Sequence, residues 1–269
     1  MKKFKIIFIV LVLVIIIWYL NIKLISNTKI NIVNNKVKND IKIVQISDLH
    51  GMSFGINNSK IINKIEKINP DFIVVTGDMY TAKDINGMKI ALNLFKELSN
   101  KYMVYSVNGE HDNNEKFEEQ LKEIGIHILD YKKEEINVKE TKINLYGITN
   151  VYYSNTFDLK NEFDLNKEEY NILLAHISNI DAFEKFGIDL AICGDTHGGQ
   201  IRLPFIGAIY NRKIWFPELK NSLDDVYCTK GLYTINKMNL VVSSGLGSYP
   251  IKIRTFNLPE IVTITLSPK

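Results

Sequence analysis

Five clusters of acidic and histidine side chains each follow an apolar run in the sequence. They are Asp48 with His50; Asp78; Glu110, His111 and Asp112; His176; and Asp195 with His197. Carboxylate oxygens and imidazole nitrogens together are suitable ligands for divalent metal ions. Two such ions about 3.5–4 Å apart can hold the attacking and leaving oxygens of a phosphoryl displacement. The residue types therefore predict a metal site suited to phosphate chemistry.

Each cluster taken alone has a simpler structural explanation. Asp commonly caps a helix or begins a turn, and a single buried histidine commonly does no more than pack in a core. However, four of the five histidines in the chain directly follow apolar runs. His127 does not, and we assign it a structural role. The combination of clusters favours one shared site over several unrelated turns.

The apolar runs in front of these clusters are typical of buried strands. Strands are predicted at 41–48, 71–78, 101–112, 125–130, 141–149, 170–177, 188–195 and three times near the C-terminus, and helices at 56–69, 84–99, 113–124 and 179–186. The first half alternates strands with helices and the second half is richer in strands. This pattern predicts an α/β layered domain with more than one sheet. In such sheets ligands bind at the carboxyl ends of strands, where the clusters lie.

The ordered blocks resemble those of the calcineurin-like metallophosphoesterases. Here they read DLH, GD, GEHD, a lone H and GDTHGGQ, and the segment after residue 243 is similar to the membrane-associated bacterial branch of that family. The resemblance covers roughly residues 41–266. It implies an α/β fold, a four-layer α-β-β-α sandwich of two mixed β-sheets flanked by helices. It also implies two divalent metal ions at the strand ends and a phosphate ester substrate.

The resemblance also implies a role for each matched residue. Asp48, His50 and His197 would bind the first ion, Asp78 would bridge the two ions, and His176 would bind the second. His111 would be a general acid that protonates the leaving oxygen. Asp112 would orient His111.

Two ligand positions of the second ion depart from the family pattern. Glu110 stands where the family has Asn, and Asp195 stands where it has His. One interpretation is decay of the site, which would leave one ion or none. The other is a rebuilt site, because both replacements are carboxylates that still bind metals. We favour the rebuilt site, whose added oxygen ligands predict Mn²⁺, Fe or Mg²⁺ over Zn²⁺.

The N-terminus contains an apolar run from Ile6 to Leu20 that follows three lysines. Its length and closing aromatic residues predict a transmembrane anchor at residues 1–25, with a signal peptide as the rival interpretation. A polar tether at 26–40 and a metallophosphoesterase catalytic domain at 41–269 would follow. The preceding lysines predict a single-pass protein of the cell membrane with an extracytoplasmic catalytic domain.

The remaining features restrict the function less strongly. A net charge of +3 gives no nucleic-acid signature. Cys193 and Cys228 could be core residues or one disulfide. The segment 202–219 is a loop rich in aromatic and basic residues, which either packs on the core or forms a membrane-facing flap. The sequence does not indicate an oligomeric state.

We therefore expect a metal-dependent phosphoesterase that acts on a phosphomonoester or phosphodiester, with lipid- or envelope-linked compounds among the candidate substrates. One alternative is a non-catalytic binding protein with a degenerate second metal site. Another is an envelope structural protein in which the metal site only stabilises the fold.

Overall fold

The chain folds around two mixed β-sheets, each with six strands over the described residues. The structure is a computed structural model that describes residues 2–149, 157–220, 224 and 227–269. Its first nine strands are β1 (Ser26–Asn34), β2 (Ile41–Ile46), β3 (Phe72–Thr76), β4 (Val104–Val107), β5 (His127–Ile128), β6 (Lys132–Val138), β7 (Thr141–Ile148), β8 (Tyr170–Ala175) and β9 (Leu190–Cys193). Four short strands follow as β10 (Arg202–Leu203), β11 (Gly207–Ala208), β12 (Tyr210–Asn211) and β13 (Ile214–Trp215), and then β14 (Gly231–Ile235), β15 (Met238–Val242) and β16 (Glu260–Pro268).

The first sheet has the order β1-β16-β2-β3-β4-β5 and the second has the order β14-β15-β9-β8-β7-β6. Strands β2 to β5 run parallel, as do β15, β9, β8 and β7, so many carboxyl ends point the same way. These central strands are covered on both faces, which explains why they are continuous apolar runs rather than alternating ones.

Five α-helices complete the described part of the chain: α1 (Lys2–Lys23), α2 (Ser59–Ile68), α3 (Ile85–Ser99), α4 (Glu115–Glu123) and α5 (Ile180–Phe186). One apolar core lies between the two sheets, a second between the first sheet and α2 to α4, and a third beside the second sheet and α5. The predicted layered α/β fold, with two mixed sheets flanked by helices, is confirmed.

Residues 26–34 of the predicted polar tether are a strand in the structure. These residues form β1, which pairs in parallel with β16 from Ser26↔Glu260 to Asn34↔Pro268. Ile30 and Ile32 of β1 are buried in the core between the sheets. The folded domain therefore begins before residue 41 and follows α1 almost directly.

The segment 202–219 is not an extended loop. Strands β10 and β11 form one short antiparallel pair, and β12 and β13 form another. Cys193 and Cys228 are both buried thiols and do not form the disulfide that the sequence left open.

Candidate metal centre

The predicted site residues lie at the carboxyl ends of strands from both sheets. Asp48 and His50 follow β2, Asp78 follows β3, His176 follows β8, and Asp195 and His197 follow β9. Because the two sheets pack face to face with these ends on one side, residues far apart in sequence meet there. Backbone hydrogen bonds hold the loops together, such as Asp48 N–H to Gly77 O at 2.9 Å and Gly194 N–H to His176 O at 2.9 Å.

Three overlapping groups of ligand atoms form the centre of the site. Within each group the ligand atoms lie within 4.8 Å of one another, and the groups are Asp48, His50 and His197; His50, Asp78 and His111; and Asp48, Asp78 and His176. Asp78 Oδ2 lies 3.6 Å from His50 Nε2 and 3.4 Å from His176 Nε2. It is therefore placed between two sets of ligands, as a bridging carboxylate would be.

The hydrogen bonds of the buried histidines fit a divalent cation. His176 Nδ1 lies 2.6 Å from the carbonyl oxygen of Thr76 and must donate to it, so in the neutral ring that a metal ion requires Nε2 carries a lone pair. Among the described residues, His176 Nε2 and Asp48 Oδ2 are buried without a hydrogen-bond partner. His50 Nε2 and His197 Nε2 lie 3.2 Å apart and face the same region. Unpartnered buried acceptors are unfavourable unless a cation binds them.

The electrostatics of the site are those of closely packed buried ionisable groups. Burial raises the pKa of Asp48 to about 7 and lowers the pKa of His50 to about 4. Burial acts to raise the pKa of Asp78, but the nearby charges of His176 and His50 outweigh this effect and lower it. Burial would lower the pKa of His176, but the charge of Asp78 raises it well above its usual value. The negative charges of Asp78, Asp48 and Asp195 together favour a positive charge at the position of His176.

His111 lies beside this cluster with a different hydrogen-bond pattern. Its Nδ1 accepts the backbone N–H of Ala82 at 3.4 Å, so Nε2 carries the proton in the neutral ring. Its backbone N–H donates to Asp78 Oδ1 at 2.9 Å. The ring is half-buried and can therefore donate a proton to a group in the cleft.

Asp112 is buried and binds backbone groups rather than the ring of His111. Its two carboxylate oxygens accept the N–H groups of Met79 and Gly109, both at 2.6 Å. Burial raises the pKa of Asp112 to about 6, with a further contribution from the charge of Asp78. Asp112 therefore links the loop after β3 to the loop after β4, and this link positions His111.

The two unusual positions differ in where the structure places them. Asp195 is half-buried, and its Oδ1 lies 4.0 Å from His176 Nε2. Its other carboxylate oxygen forms an ion pair with Arg212. Glu110 is exposed, and among the described residues it belongs to none of the three ligand groups. The structure thus brings Asp195 to the edge of the cluster and does not bring Glu110 into it.

Two residues beside the cluster were not predicted from the sequence. The ring of Tyr249 stacks on His50 with 5.0 Å between centroids and packs edge-on against His111 at 4.4 Å. Arg212 reaches Asp195 from the turn between β12 and β13. Both belong to segments that meet the site only through tertiary packing, and the basic aromatic composition of 202–219 was the one available signal.

An open cleft of about 750 Å³ leads away from Asp195 and His197. Its walls combine polar residues next to the cluster with apolar side chains from two later segments. The apolar lining consists of Ile201, Ile209, Tyr210, Trp215, Pro250, Ile251 and Ile253. A phosphate bound at the cluster would therefore have an apolar surface on one side.

Comparison with known proteins agrees with this geometry. Residues 41–199 match the model of the calcineurin-like phosphoesterase family. The chain belongs to this family. It is 28% identical to the metallophosphoesterase YkuE of Bacillus subtilis (strain 168), over 84% of this chain and 78% of YkuE.

Two further relatives are of similar distance. The metallophosphoesterase Cj0846 of Campylobacter jejuni is 28% identical over 87% of this chain but 61% of its own length. UDP-2,3-diacylglucosamine pyrophosphatase LpxG of Chlamydia muridarum is 25% identical over 82% of each chain. As a member of this metallophosphoesterase family, the chain is a hydrolase that acts on phosphoric ester bonds. The family uses divalent metals, and the Asp and His cluster provides suitable ligands.

Proposed function

We propose that this chain hydrolyses a phosphomonoester or phosphodiester through a dinuclear metal centre. The observation that supports the proposal is a pair of overlapping ligand groups that share Asp48, namely Asp48, His50 and His197, and Asp48, Asp78 and His176. A third group places His111 beside His50 and Asp78. Asp48, His50 and His197 would hold one ion, His176 and Asp195 the other, and Asp78 both. We leave Glu110 out of this set because its side chain is exposed.

Two divalent ions held there would neutralise charge on the phosphoryl oxygens and supply a hydroxide nucleophile at neutral pH. The residues of the chain would do the rest. His111 would donate its Nε2 proton to the leaving oxygen, because its Nδ1 is occupied as an acceptor. Asp112 would keep His111 in place through the two backbone hydrogen bonds described above. Arg212, which lines the cleft, would bind a phosphate oxygen of the substrate.

The metals we propose are Mn²⁺, Fe or Mg²⁺ rather than Zn²⁺. Three of the six proposed ligands are carboxylates, which are hard oxygen donors. Calorimetric titration of the full-length protein in detergent with Mn²⁺, Mg²⁺ and Zn²⁺ tests this preference. Turnover is measured with each metal in parallel, and both tighter binding and faster turnover with Zn²⁺ would contradict the preference.

The test of the function is turnover of bis-p-nitrophenyl phosphate and p-nitrophenyl phosphate by the Mn²⁺-loaded protein. We expect two bound ions per chain, turnover in the wild type, and a loss of about 10²–10⁴-fold in His111→Ala without loss of metal, as for removal of a general acid. An inactive wild type with two bound ions would contradict the proposal.

A second candidate is a binding protein that keeps one metal and does not catalyse hydrolysis. Two observations favour it: Glu110 is exposed, and Asp195 is already paired with Arg212. It predicts one bound ion and no turnover of either ester.

We also propose that α1 anchors the protein in the cell membrane with the catalytic domain outside the cytoplasm. In the described chain, Phe4–Lys23 is the one helix long and apolar enough to span a membrane. The lysines before it support a cytoplasmic N-terminus. LpxG is named for a diacylated compound, and this supports a lipid-linked substrate. A C-terminal reporter that is active only outside the cytoplasm tests the orientation.

A further inference from the structure

Two segments beside the cleft expose large apolar side chains. We call residues 201–220 and 248–257 the apolar loop pair. Phe205 is fully exposed, and Trp215, Ile251 and Phe256 are 64%, 61% and 65% exposed. A soluble domain normally buries such large apolar side chains or uses them to bind a partner.

The two segments form one continuous surface. The N–H of Arg202 donates to the carbonyl oxygen of Thr255 at 2.9 Å, and the N–H of Thr255 donates to that of Gln200 at 3.2 Å. Phe205 and Phe256 line the same shallow depression. The exposed side chains therefore belong to a single patch rather than to separate loops.

Helix α1 is attached to this same patch. The indole N–H of Trp18 donates to the carbonyl oxygen of Lys252 at 3.2 Å. The side-chain oxygen of Asn21 accepts the backbone N–H of Phe256 at 3.1 Å. The C-terminal end of α1 thus contacts the second segment of the apolar loop pair directly.

The connection between α1 and the domain leaves little freedom. Ile22 and Ile25 are buried, and Ser26 already begins β1 and donates its N–H to Pro259 O at 2.8 Å. Lys23 donates from its side chain to Ser53 O at 2.8 Å. A helix joined in this way holds the domain in one orientation relative to its own axis.

The charge of the patch is positive. Segments 201–220 and 248–257 together contain one acidic residue, Glu218, which is paired with Arg202. Lys213, Lys220 and Lys252 are exposed. Exposed aromatic residues surrounded by lysines match the chemistry of an anionic lipid surface.

We propose that the apolar loop pair is a membrane-contacting surface that α1 holds in the headgroup region of the bilayer. When α1 crosses the membrane, Trp18 lies at its boundary, as interfacial tryptophans do. Lys252 and Phe256 are within hydrogen-bond distance of this end of the helix and must lie at the same depth. The cleft, whose walls include Trp215 and Ile251, then opens toward lipid.

This orientation identifies the class of substrate, a consequence that rests on the proposed function. A phosphate ester of a lipid could place its phosphate at the metal cluster while its chains leave along the apolar wall of the cleft.

The membrane contact is tested with the full-length protein in vesicles of phosphatidylglycerol and phosphatidylcholine brominated near the headgroup. The chain has two tryptophans, so Trp18→Phe leaves Trp215 as the single reporter. The control carries Trp18→Phe, Trp215→Phe and Met103→Trp. Met103 is exposed at the amino end of β4, opposite the site. We expect bromine to quench Trp215 about as strongly as it quenches Trp18 in Trp215→Phe, and to leave the Met103→Trp reporter unquenched. Equal bromine quenching of Trp215 and of the Met103→Trp reporter would overturn the proposal.

A second measurement tests the substrate class. Phe205→Ser with Phe256→Ser changes the patch without touching the cleft or the metal cluster. We expect unchanged turnover of water-soluble bis-p-nitrophenyl phosphate and about a ten-fold loss on a p-nitrophenyl ester of phosphatidic acid in the same vesicles. Equal effects on both esters would refute the lipid substrate. Quenching of Trp215 without turnover of either ester would support the membrane surface and reject the proposed hydrolysis.

Discussion

Glu110 and Asp195 are the two positions at which the chain departs from its family, and substitution at each should have different effects. Asp195 Oδ1 lies 4.0 Å from His176 Nε2, whereas Glu110 is exposed. An ion bound by Asp78 and His176 could therefore be reached by the Asp195 side chain after a small rotation. We expect Asp195→Ala to lose the second ion and Glu110→Ala to keep it.

The expected magnitudes follow from this placement. Loss of an outer-shell partner of a metal site typically costs 10–100-fold in affinity, so loss of a direct ligand should cost about 100-fold or more. Asp195→Ala also removes the carboxylate that pairs with Arg212, so the guanidinium charge would then repel the ion. Glu110→Ala is a surface substitution, and its effect should stay within about two-fold.

The assay is calorimetric titration of the detergent-solubilised, metal-free protein with Mn²⁺. Wild type and Glu110→Ala should bind two ions per chain and Asp195→Ala one. Asp130→Ala, which removes another exposed carboxylate, is the matched control for loss of surface charge. If Glu110→Ala loses the second ion and Asp195→Ala retains it, the assignment from the structure is wrong and the loop after β4 must rearrange on metal binding.

Three further predictions concern the surroundings of the site. Gly194→Ala would place a methyl group 2.6 Å from Asp48 Oδ2 and closer still to Ser47. We expect the free energy of unfolding in urea to fall by about 1–3 kcal/mol and Mn²⁺ binding to weaken. An unchanged free energy of unfolding would contradict this prediction. Arg212→Ala should raise KM for bis-p-nitrophenyl phosphate about ten-fold or more with little change in kcat. The reason is that a hydrogen bond to a charged group contributes about 1.5–3 kcal/mol. An unchanged KM would argue against phosphate binding by Arg212. Mn²⁺ at about 100 times its Kd should stabilise the fold by about 2.7 kcal/mol for each ion bound, which raises Tm by about 5–10 °C per ion in scanning calorimetry. The same total shift in His50→Ala would place the ions elsewhere.

The central strands could be predicted from the sequence because burial on both faces leaves a clear pattern. β3 reads Phe-Ile-Val-Val-Thr and all five residues are buried. β1 and β6 were missed because they lie at sheet edges and are largely polar. In β1 only Ile30 and Ile32 are buried, and the Asn and Lys residues around them are typical of a linker as well as of an edge strand.

The ligand cluster was predictable to the extent that each ligand directly follows a strand. Asp48, Asp78 and His176 lie one or two residues beyond a buried run, so the topology of the sheets determines where they meet. Glu110 also follows a strand, but the chain turns after Gly109 and the side chain points to solvent. The ion pair of Asp195 with Arg212 depends on the turn between β12 and β13, which no local pattern in the sequence reveals.

The backbone conformation of Asp195 is shared by four of the other five proposed ligands, all except His176. Asp48, His50, Asp78 and His197 all have positive φ, between 46° and 55°, and Asp195 has a φ of 70°. Such conformations are unfavourable for residues other than glycine and persist where the surrounding structure requires them, often at binding sites. Neither Glu110 nor His111 is among the residues with positive φ. Asp adopts a positive φ more readily than most residues. Asp in place of the family's His at position 195 can therefore both adopt the backbone conformation of the other ligands and bind a cation. Random decay of the site would not select for both properties, which favours a rebuilt second site around Asp195.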